Sequence, residues 1–168
     1  MNRPQPDEFD SYYATYINTV SENVLGELEH QAISFPAFLK QIPDIKAYYA
    51  YAEGKWTVKE VVGHMIDTER IMAYRALRIA RNDRTPLASF EENEYVANAS
   101  FNDRSLASLA EEFEAVRSAS IYLFKYLSEN ELNRRGTASN KPVSVRALLY
   151  IVVGHVNHHR NIIEQRYL

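Results

Sequence analysis

Two histidines near the end of the chain have the spacing of a helical metal-binding pair. His155 and His159 are four residues apart, so on a helix both imidazole rings project from one face, one turn apart. The pair continues an apolar stripe that contains Leu148 and Val152, which directs both rings into the interior of the protein. Buried imidazoles need polar partners. The pattern is therefore typical either of metal ligands or of hydrogen-bonded core histidines.

A third histidine belongs to a repeated tetrapeptide. The sequence Val-Val-Gly-His occurs at 61–64 and again at 152–155, which places a glycine inside a helix directly before His64 and directly before His155. An internal helical glycine costs about 1 kcal/mol relative to alanine, and close helix packing beside each histidine would offset that cost. The repeat therefore favours a shared role for the two histidines.

Antiparallel packing of the two helices would bring the three rings to one level. At 1.5 Å per residue, His64 lies about 9 Å from the start of its helix and His159 about 12 Å from the end of its own. Three neutral imidazoles leave a coordination position open, as catalytic sites do, and zinc, nickel or ferrous iron would accept these ligands. We predict that His64, His155 and His159 bind one divalent ion. His30 and His158 are predicted to lie at the surface or behind the ligands.

Four polar residues of the second helix are weaker candidates for the site. Asp67 and Glu60 lie three and four residues from His64 and could orient its ring or act as a general base, although a capping role already explains Glu60. Arg75 and Arg78 extend the face of His64, so one of them could hold a substrate anion above the metal. The alternative for both arginines is a solvated face that complements the helix dipole.

Four amphipathic helices must position these side chains, because apolar residues recur at spacings of three and four along most of the chain. Thr57 and Glu60 have the form of a capping box that starts the second helix, and Ser144 is a suitable N-cap for the fourth. Pro36 is expected to kink the first helix. The predicted helices span residues 22–42, 57–81, 102–127 and 144 towards the C-terminus.

The connections between these helices differ in length. The joint at 82–101 is long for a bundle, and twenty residues can extend to roughly 66 Å, whereas a helix of 25 residues is about 38 Å long. This joint can therefore run along the bundle and leave its two flanking helices parallel, either as a surface loop with a small helix around Glu91–Val96 or as a lid over a site. A capping box at Ser128–Glu131 predicts one more helical turn, followed by a loop around Gly136 and Pro142.

Length, composition and charge limit the class of protein. A chain of 168 residues with 46% hydrophobic and 24% charged residues suits a single domain, 1–168, with an N-terminal arm at 1–20. The net charge of −3 argues against nucleic acid as a partner. The tyrosines of the arm are expected to pack or to form an interface rather than to react: Tyr12, Tyr13 and Tyr16.

No cysteine occurs in the sequence, which excludes disulfides, thiolate ligands and a cysteine nucleophile. Any thiol in the reaction must therefore come from outside. The first residues lack the apolar stretch of a signal peptide, and the longest apolar run, at 147–153, is far short of the roughly 20 residues of a membrane span. We therefore expect a cytoplasmic protein that does not enter a membrane.

Three stretches of the sequence resemble the DinB/YfiT-like superfamily: WTVKEVVGHMIDTE at 56–69, YRALR at 74–78 and HVNHH at 155–159. The resemblance extends from about residue 24 to residue 167. It implies an all-α four-helix bundle of up-down-down-up order, with a long crossover between helices 2 and 3. It also implies a divalent metal ion on three histidines, which are matched here by the three predicted ligands.

Relatives in this superfamily include metal-dependent hydrolases and transferases that use bacillithiol, mycothiol or glutathione, so the resemblance leaves the substrate open. Our leading interpretation is a metal-dependent enzyme for a small-molecule substrate. It is either a transferase that uses an external low-molecular-weight thiol or, almost equally, a hydrolase that uses metal-bound water. The alternative is a non-catalytic, stress-associated metal-binding bundle that acts through self-association, for example as a homodimer. An open metal site inside a pocket would favour the enzyme.

Overall fold

Four long helices form the body of the protein in a computed structural model that describes residues 2–168. The long helices are α2, α4, α6 and α8. In chain order, the α-helices of the described residues are Ala14–Ile17 (α1), Val24–Leu39 (α2), Asp44–Ala47 (α3), Val58–Ala80 (α4), Glu92–Ala97 (α5), Leu106–Lys125 (α6), Glu129–Leu132 (α7) and Val145–Arg166 (α8). Short 3-10 turns lie at Pro6–Glu8, Ser11–Tyr13 and Phe101–Asp103. The mostly helical architecture predicted from the apolar spacing is confirmed.

Side-chain caps set the starts of the long helices. The Thr57 hydroxyl accepts a hydrogen bond from the Glu60 N–H at 3.2 Å, and the Glu60 carboxylate accepts one from the Thr57 N–H at 2.7 Å, so the predicted capping box is present. Ser144 caps α8 through the Ala147 N–H at 2.9 Å. The third long helix begins later than the predicted residue 102, because Ser105 caps α6.

The packing of the four helices gives the up-down-down-up order. Helix α2 packs on α6 and α8, and α4 packs on the same two helices. The start of α4 lies beside the approach to α6, where Lys59 donates to the carbonyl of Asn102 at 3.0 Å. The same end of α4 meets the end of α8, where the Tyr167 hydroxyl donates to the carbonyl of Trp56 at 2.8 Å. Helices α4 and α6 are therefore parallel, and α4 and α8 are antiparallel.

The crossover between α4 and α6 makes the parallel arrangement possible. It contains α5 and the turn at Phe101–Asp103, and it is attached to the rest of the protein at Leu87. The N–H of Leu87 donates to the carbonyl of Thr137 at 2.9 Å, and the carbonyl of Leu87 accepts from the N–H of Ser139 at 3.0 Å. The small helix predicted around Glu91–Val96 corresponds to α5.

The prediction of a loop around Gly136 and Pro142 is wrong. The segment is an antiparallel hairpin of two strands, Arg135–Ala138 (β1) and Lys141–Ser144 (β2). Both residues of its two-residue turn have left-handed backbones, with φ of 52° at Ser139 and 60° at Asn140, as the commonest tight hairpins require. No glycine occupies this turn, so the usual sequence signal for such a hairpin is missing.

The segment before α2 is fixed to the start of α8. The buried Glu8 carboxylate accepts hydrogen bonds from the Ser144 hydroxyl at 2.7 Å and from the Arg146 guanidinium at 2.5 Å. Helix α1 then packs along α8, which brings Tyr16 against the middle of that helix. Over residues 2–168, no helix has the length and hydropathy that crossing a membrane requires.

Candidate metal centre

Three histidine side chains converge at the interface between α4 and α8. The Nε2 atom of His155 lies 3.1 Å from Nε2 of His64 and 3.0 Å from Nε2 of His159. All three possible ligand nitrogens lie within 4.8 Å of one another. The structure therefore brings together the three histidines that the sequence singled out, through the antiparallel contact of the two helices that present them.

The donor set fits a divalent metal ion. Two nitrogens of a tetrahedral zinc site lie roughly 3.3 Å apart when each Zn–N bond is about 2.0 Å, close to the separations observed here. Thr68 Oγ1 lies 3.4 Å from Nδ1 of His64. When the Nδ1 proton points to this hydroxyl, the Nε2 lone pair of His64 faces the other two rings, as a ligand requires.

Burial keeps the three rings neutral. It lowers the pKa of His64 to about 4, and burial together with the neighbouring His64 and His158 lowers the pKa of His159 to about 3. The pKa of His155 lies well below its ordinary value for the same reason, burial first and the adjacent histidines second. A neutral imidazole is the form that binds a metal ion, so these nitrogens are free to act as ligands near neutral pH.

The histidine cluster lines a pocket of about 280 Å³, which we call the histidine pocket. Its walls include aromatic rings from three parts of the chain. The ring centroid of Trp56, just before α4, lies 4.8 Å from that of His64, and the ring of Tyr16 lies 5.3 Å from that of His155. Phe90 comes from the crossover. The open side of the cluster therefore faces a space that is large enough for part of a small molecule.

The crossover also supplies a carboxylate. Within residues 2–168, Glu92 is the one acidic side chain that lines the histidine pocket, and its negative charge raises the pKa of His64 against the larger effect of burial. The segment predicted as either a surface loop or a lid thus forms one wall of the pocket. Nothing in the local pattern around Glu92 indicated this position, because it depends on the path of the crossover.

The prediction that Asp67 contacts the site is not supported by the geometry. Asp67 does not line the histidine pocket, and its carboxylate lies 3.6 Å from the Arg70 guanidinium at the edge of α4. Burial raises its pKa, and Arg70 opposes this effect. At 100° per residue, position i+4 lies nearer the direction of the His64 side chain than i+3, which explains why Thr68 rather than Asp67 reaches the ring.

The two candidate arginines have different surroundings. Arg75 is buried and lines a second cavity of about 260 Å³, which adjoins the histidine pocket. Arg78 lines neither space; its half-buried side chain bonds to Asp83 and Tyr74, and together with Arg75 it lines a third space of about 330 Å³. Of the two, Arg75 lies nearer the histidine pocket and has no carboxylate partner, whereas the charge of Arg78 is paired with Asp83.

Residues of the N-terminal arm reach the site as well. Tyr12, Tyr13 and Tyr16, which were expected only to pack or to form an interface, all line the histidine pocket. His158 lies there too, half-buried, with its ring centroid 5.1 Å from that of His159. It is not one of the three converging ligands. These placements depend on how the arm docks on α8, which no sequence spacing reveals.

The two glycines that precede the histidines allow close contacts. A Cβ atom at Gly63 would overlap the ring of Phe101, and one at Gly154 would overlap the backbone carbonyl of Tyr16. The crossover and the N-terminal arm thus approach the helices where a side chain is absent. Both contacts agree with the predicted close packing beside the histidines, and at Gly154 the neighbour is another helix, α1.

Comparisons with known proteins agree with this architecture. YfiT from Bacillus subtilis, described as a probable metal-dependent hydrolase with an unusual four-helix bundle topology, superposes with a TM-score of 0.70 at 18% identity, covering 98% of this chain and 90% of YfiT. A DinB-like protein from Bacillus subtilis, YjoA, gives 0.58 at 18% identity, covering 85% of this chain and 87% of YjoA.

A third solved structure is larger than this protein. The mycothiol-dependent maleylpyruvate isomerase gives a TM-score of 0.67 at 15% identity, covering 86% of this chain but only 61% of the isomerase. At these identities the three structures establish a shared fold. No curated protein matches the chain at a significant level.

Sequence comparison with family models gives a match over most of the chain. The model of the DinB superfamily matches residues 27–163, a span that includes all three converging histidines. The chain therefore belongs to the DinB superfamily.

Proposed function

We propose that this protein is a divalent-metal-dependent enzyme in which His64, His155 and His159 hold the ion. The observation on which the proposal rests is that three neutral, converging imidazoles line an open pocket. An ion that only stabilised the fold would be enclosed by four protein ligands. Three ligands with open space beside them leave room for a substrate, which favours the enzyme over the non-catalytic metal-binding bundle.

The chemistry of the site divides between the ion and the chain. When bound, a divalent ion would supply Lewis acidity that lowers the pKa of a coordinated water or thiol towards neutrality. Thr68 would hold the ring of His64 in the ligand orientation. Trp56 and Tyr16 would restrict the access of bulk water and stack against an apolar part of the substrate.

Glu92 is our candidate for the proton acceptor of the reaction. Its carboxylate lines the same pocket as the three histidines, whereas the two acidic residues considered from the sequence, Asp67 and Glu60, do not line it. A general base must lie within hydrogen-bonding reach of the proton it removes, directly or through one water. Because α5 presents Glu92 from the crossover, its position can be altered without changing either helix that holds the histidines.

Two reaction classes fit this site. Among the similar structures, YfiT is described as a probable metal-dependent hydrolase and the isomerase as mycothiol-dependent. The chain has no cysteine, so no protein thiolate competes for the ion. Any thiol in the reaction would therefore enter as a cosubstrate. We favour thiol transfer to a small molecule, with metal-dependent hydrolysis as the second candidate because the same site can activate water.

Cobalt-substituted protein distinguishes the two classes. If thiol transfer is correct, a millimolar low-molecular-weight thiol changes the visible cobalt spectrum, and the change is absent in His155→Ala. An unchanged spectrum, together with metal-dependent hydrolysis of a generic ester, would favour the hydrolase. Protein that is purified without a histidine tag and binds no divalent ion would contradict both.

A further inference from the structure

Arg75 is a buried cation without a carboxylate partner. Its side chain lies in α4 and is 3% exposed. It donates to the carbonyl of Ala88 at 2.7 Å and to the Ser139 hydroxyl at 3.0 Å, and both acceptors are neutral. Along the described chain, no acidic side chain forms an ion pair with it.

A second buried arginine of the bundle, Arg117, has the carboxylate partner that a buried positive charge ordinarily requires. Arg117 is 0% exposed and pairs with the Glu69 carboxylate at 2.7 Å. A buried charge that lacks an opposite charge is costly, and burial lowers the pKa of the Arg75 guanidinium accordingly. Arg75 therefore has the electrostatic surroundings of a group whose counter-ion is brought by a ligand.

The space beside Arg75 is suited to an acidic ligand. The cavity of about 260 Å³, which we call the Arg75 cavity, is lined by two cations and one carboxylate. The second cation is Lys141, whose side chain is 62% exposed and lies 3.4 Å from the carboxylate, that of Asp10. Since Asp10 neutralises Lys141, the charge of Arg75 remains for the ligand. Most of the remaining wall is apolar, including Leu148 and Val143.

The Arg75 cavity adjoins the histidine pocket. Tyr13, Met72 and Ile151 line both spaces, so the two spaces meet at a wall that is mostly apolar. His64 and Arg75 are eleven residues apart on α4, which is about 16 Å along the helix axis. The Arg75 side chain reaches back along α4 towards its N-terminus, where Nη1 contacts the Met72 sulfur at 3.7 Å.

We infer that the Arg75 cavity binds the acidic end of the substrate, and that the substrate is an elongated organic oxyanion. Its carboxylate or phosphate would accept a hydrogen bond from Nη1 of the guanidinium, whose one contact is the weak acceptor Met72 Sδ at 3.7 Å, whereas Nη2 already donates to Ala88 and Ser139. An uncharged stretch of several bonds would pass Met72 and Ile151, and the reacting group would reach the three histidines. This inference rests on the proposed function for the reacting end, whereas the anion site is independent of the metal ion.

The first experiment uses metal-free protein. Titration calorimetry measures the affinity for octanoate, octyl phosphate and the neutral octanol. We expect at least one of the two anions to bind tenfold or more tightly than octanol, and the preferred anion assigns the acidic group. We expect Arg75→Met to remove that preference, while the matched control Arg78→Met, one turn away on α4 and outside the Arg75 cavity, retains it. Equal binding of anions and octanol by the unaltered protein would overturn the inference.

Two further variants test the anion site in case Arg75→Met does not fold. Because Arg75 joins the crossover to the hairpin, Arg75→Met could unfold; Arg75→Lys keeps the charge without the fork and should weaken the preferred anion several-fold. Lys141→Met changes an exposed side chain and frees Asp10, whose carboxylate would then repel the ligand, so anion affinity should fall. Retention of full anion affinity by both variants would contradict the inference.

A second experiment separates the anion site from the metal site. Mercaptoalkanoic acids of increasing chain length are titrated into metal-loaded protein beside the matching alkanoates. If both proposals hold, the mercaptoalkanoic acid binds more tightly than the matching alkanoate at one preferred chain length and not at others. Arg75-dependent alkanoate binding without any thiol gain would leave the anion site intact and contradict thiol binding at the metal. A thiol gain that is unaffected by Arg75→Lys at every length would contradict the anion site alone.

Discussion

His64 and His155 present their Nε2 atoms to each other at 3.1 Å across the contact between α4 and α8. An ion held between them ties the two helices together only in the folded state, and an ion that binds the folded state alone stabilises it by mass action. The stability of the protein should therefore depend on metal occupancy as well as on packing.

We predict that replacing His64, His155 or His159 by alanine lowers metal stoichiometry and melting temperature together. At a free ion concentration one hundred times the dissociation constant, the bound ion adds about 2.7 kcal/mol to the free energy of unfolding. Chelation of the ion from the unaltered protein should remove the same amount. Elemental analysis and thermal melts measure both effects. His30→Ala, at an exposed position of α2, serves as the control. Full metal retention in all three variants would disprove the ligand assignment.

The carboxylate of Glu8 makes a pH-dependent contribution to stability. Burial alone would raise its pKa, but hydrogen bonds from Arg146, the Gln5 N–H and Ser144 outweigh burial, and the pKa lies below the ordinary 4.5. A lowered folded-state pKa means that the stabilisation is present above about pH 4.5 and is lost as the pH falls through the folded value.

We therefore predict that Glu8→Gln destabilises the protein by about 1 to 3 kcal/mol near neutral pH, and that the difference narrows at about pH 3. Urea unfolding at the two pH values measures it. Asp7→Asn is the control, because Asp7 pairs with Arg135 at the exposed surface and should change little. If the stability difference between the unaltered protein and Glu8→Gln were the same at both pH values, Glu8 would contribute through packing and not through its charge.

Alanine at Gly63 or Gly154 should destabilise the protein although alanine is the better helix former. The added methyl group overlaps the Phe101 ring in one case and the Tyr16 carbonyl in the other, and overpacking typically costs about 1 to 3 kcal/mol. We expect the larger loss at Gly154, because a backbone carbonyl moves less readily than a side chain. Thermal melts decide the question.

The Gly63 clash can be relieved independently. Phe101→Leu removes part of the ring, so the double variant with Gly63→Ala should lose less stability than the sum of the two single changes. If instead both glycine variants melt at a higher temperature than the unaltered protein, the close contacts do not explain the glycines.

Glu92→Gln should reduce the turnover of whichever metal-dependent reaction is found by about 100-fold, the usual contribution of a general base, with metal content unchanged. Glu94→Gln, on the same short helix but outside the pocket wall, is the matched control and should behave like the unaltered protein. Asp67→Asn should also retain activity. A large loss in Asp67→Asn with none in Glu92→Gln would restore the assignment made from the sequence.

The sequence predicted those features that depend on interactions between residues close together in the chain. The capping box at Thr57 and the N-cap at Ser144 are local, and both are present. The histidine cluster was predictable because helical spacing fixes His155 relative to His159, and the repeated Gly-His links them to His64. Local geometry also explains why Thr68 and not Asp67 contacts His64, since one residue in a helix rotates the side-chain direction by about 100°.

Other parts of the site depend on chain segments that are distant in sequence. Glu92 enters the pocket because Leu87 anchors the crossover to the hairpin, and Tyr16 enters because Glu8 fastens the arm to α8. Hydrogen bonds across such separations leave no periodic pattern. The hairpin itself was missed because Ser139 and Asn140 adopt a turn that glycine normally marks.

The separation of the proposed ligands along the chain has a consequence for how the protein would acquire an ion. His64 and His155 are 91 positions apart, so no local folding step creates the binding site. Contacts of such long range form slowly, and α8 must dock on α4 before two ligands from different helices can meet. Uptake of an ion by the three histidines would therefore follow assembly of the bundle, and we expect protein made without the ion to be an assembled bundle with an empty site rather than an unfolded chain.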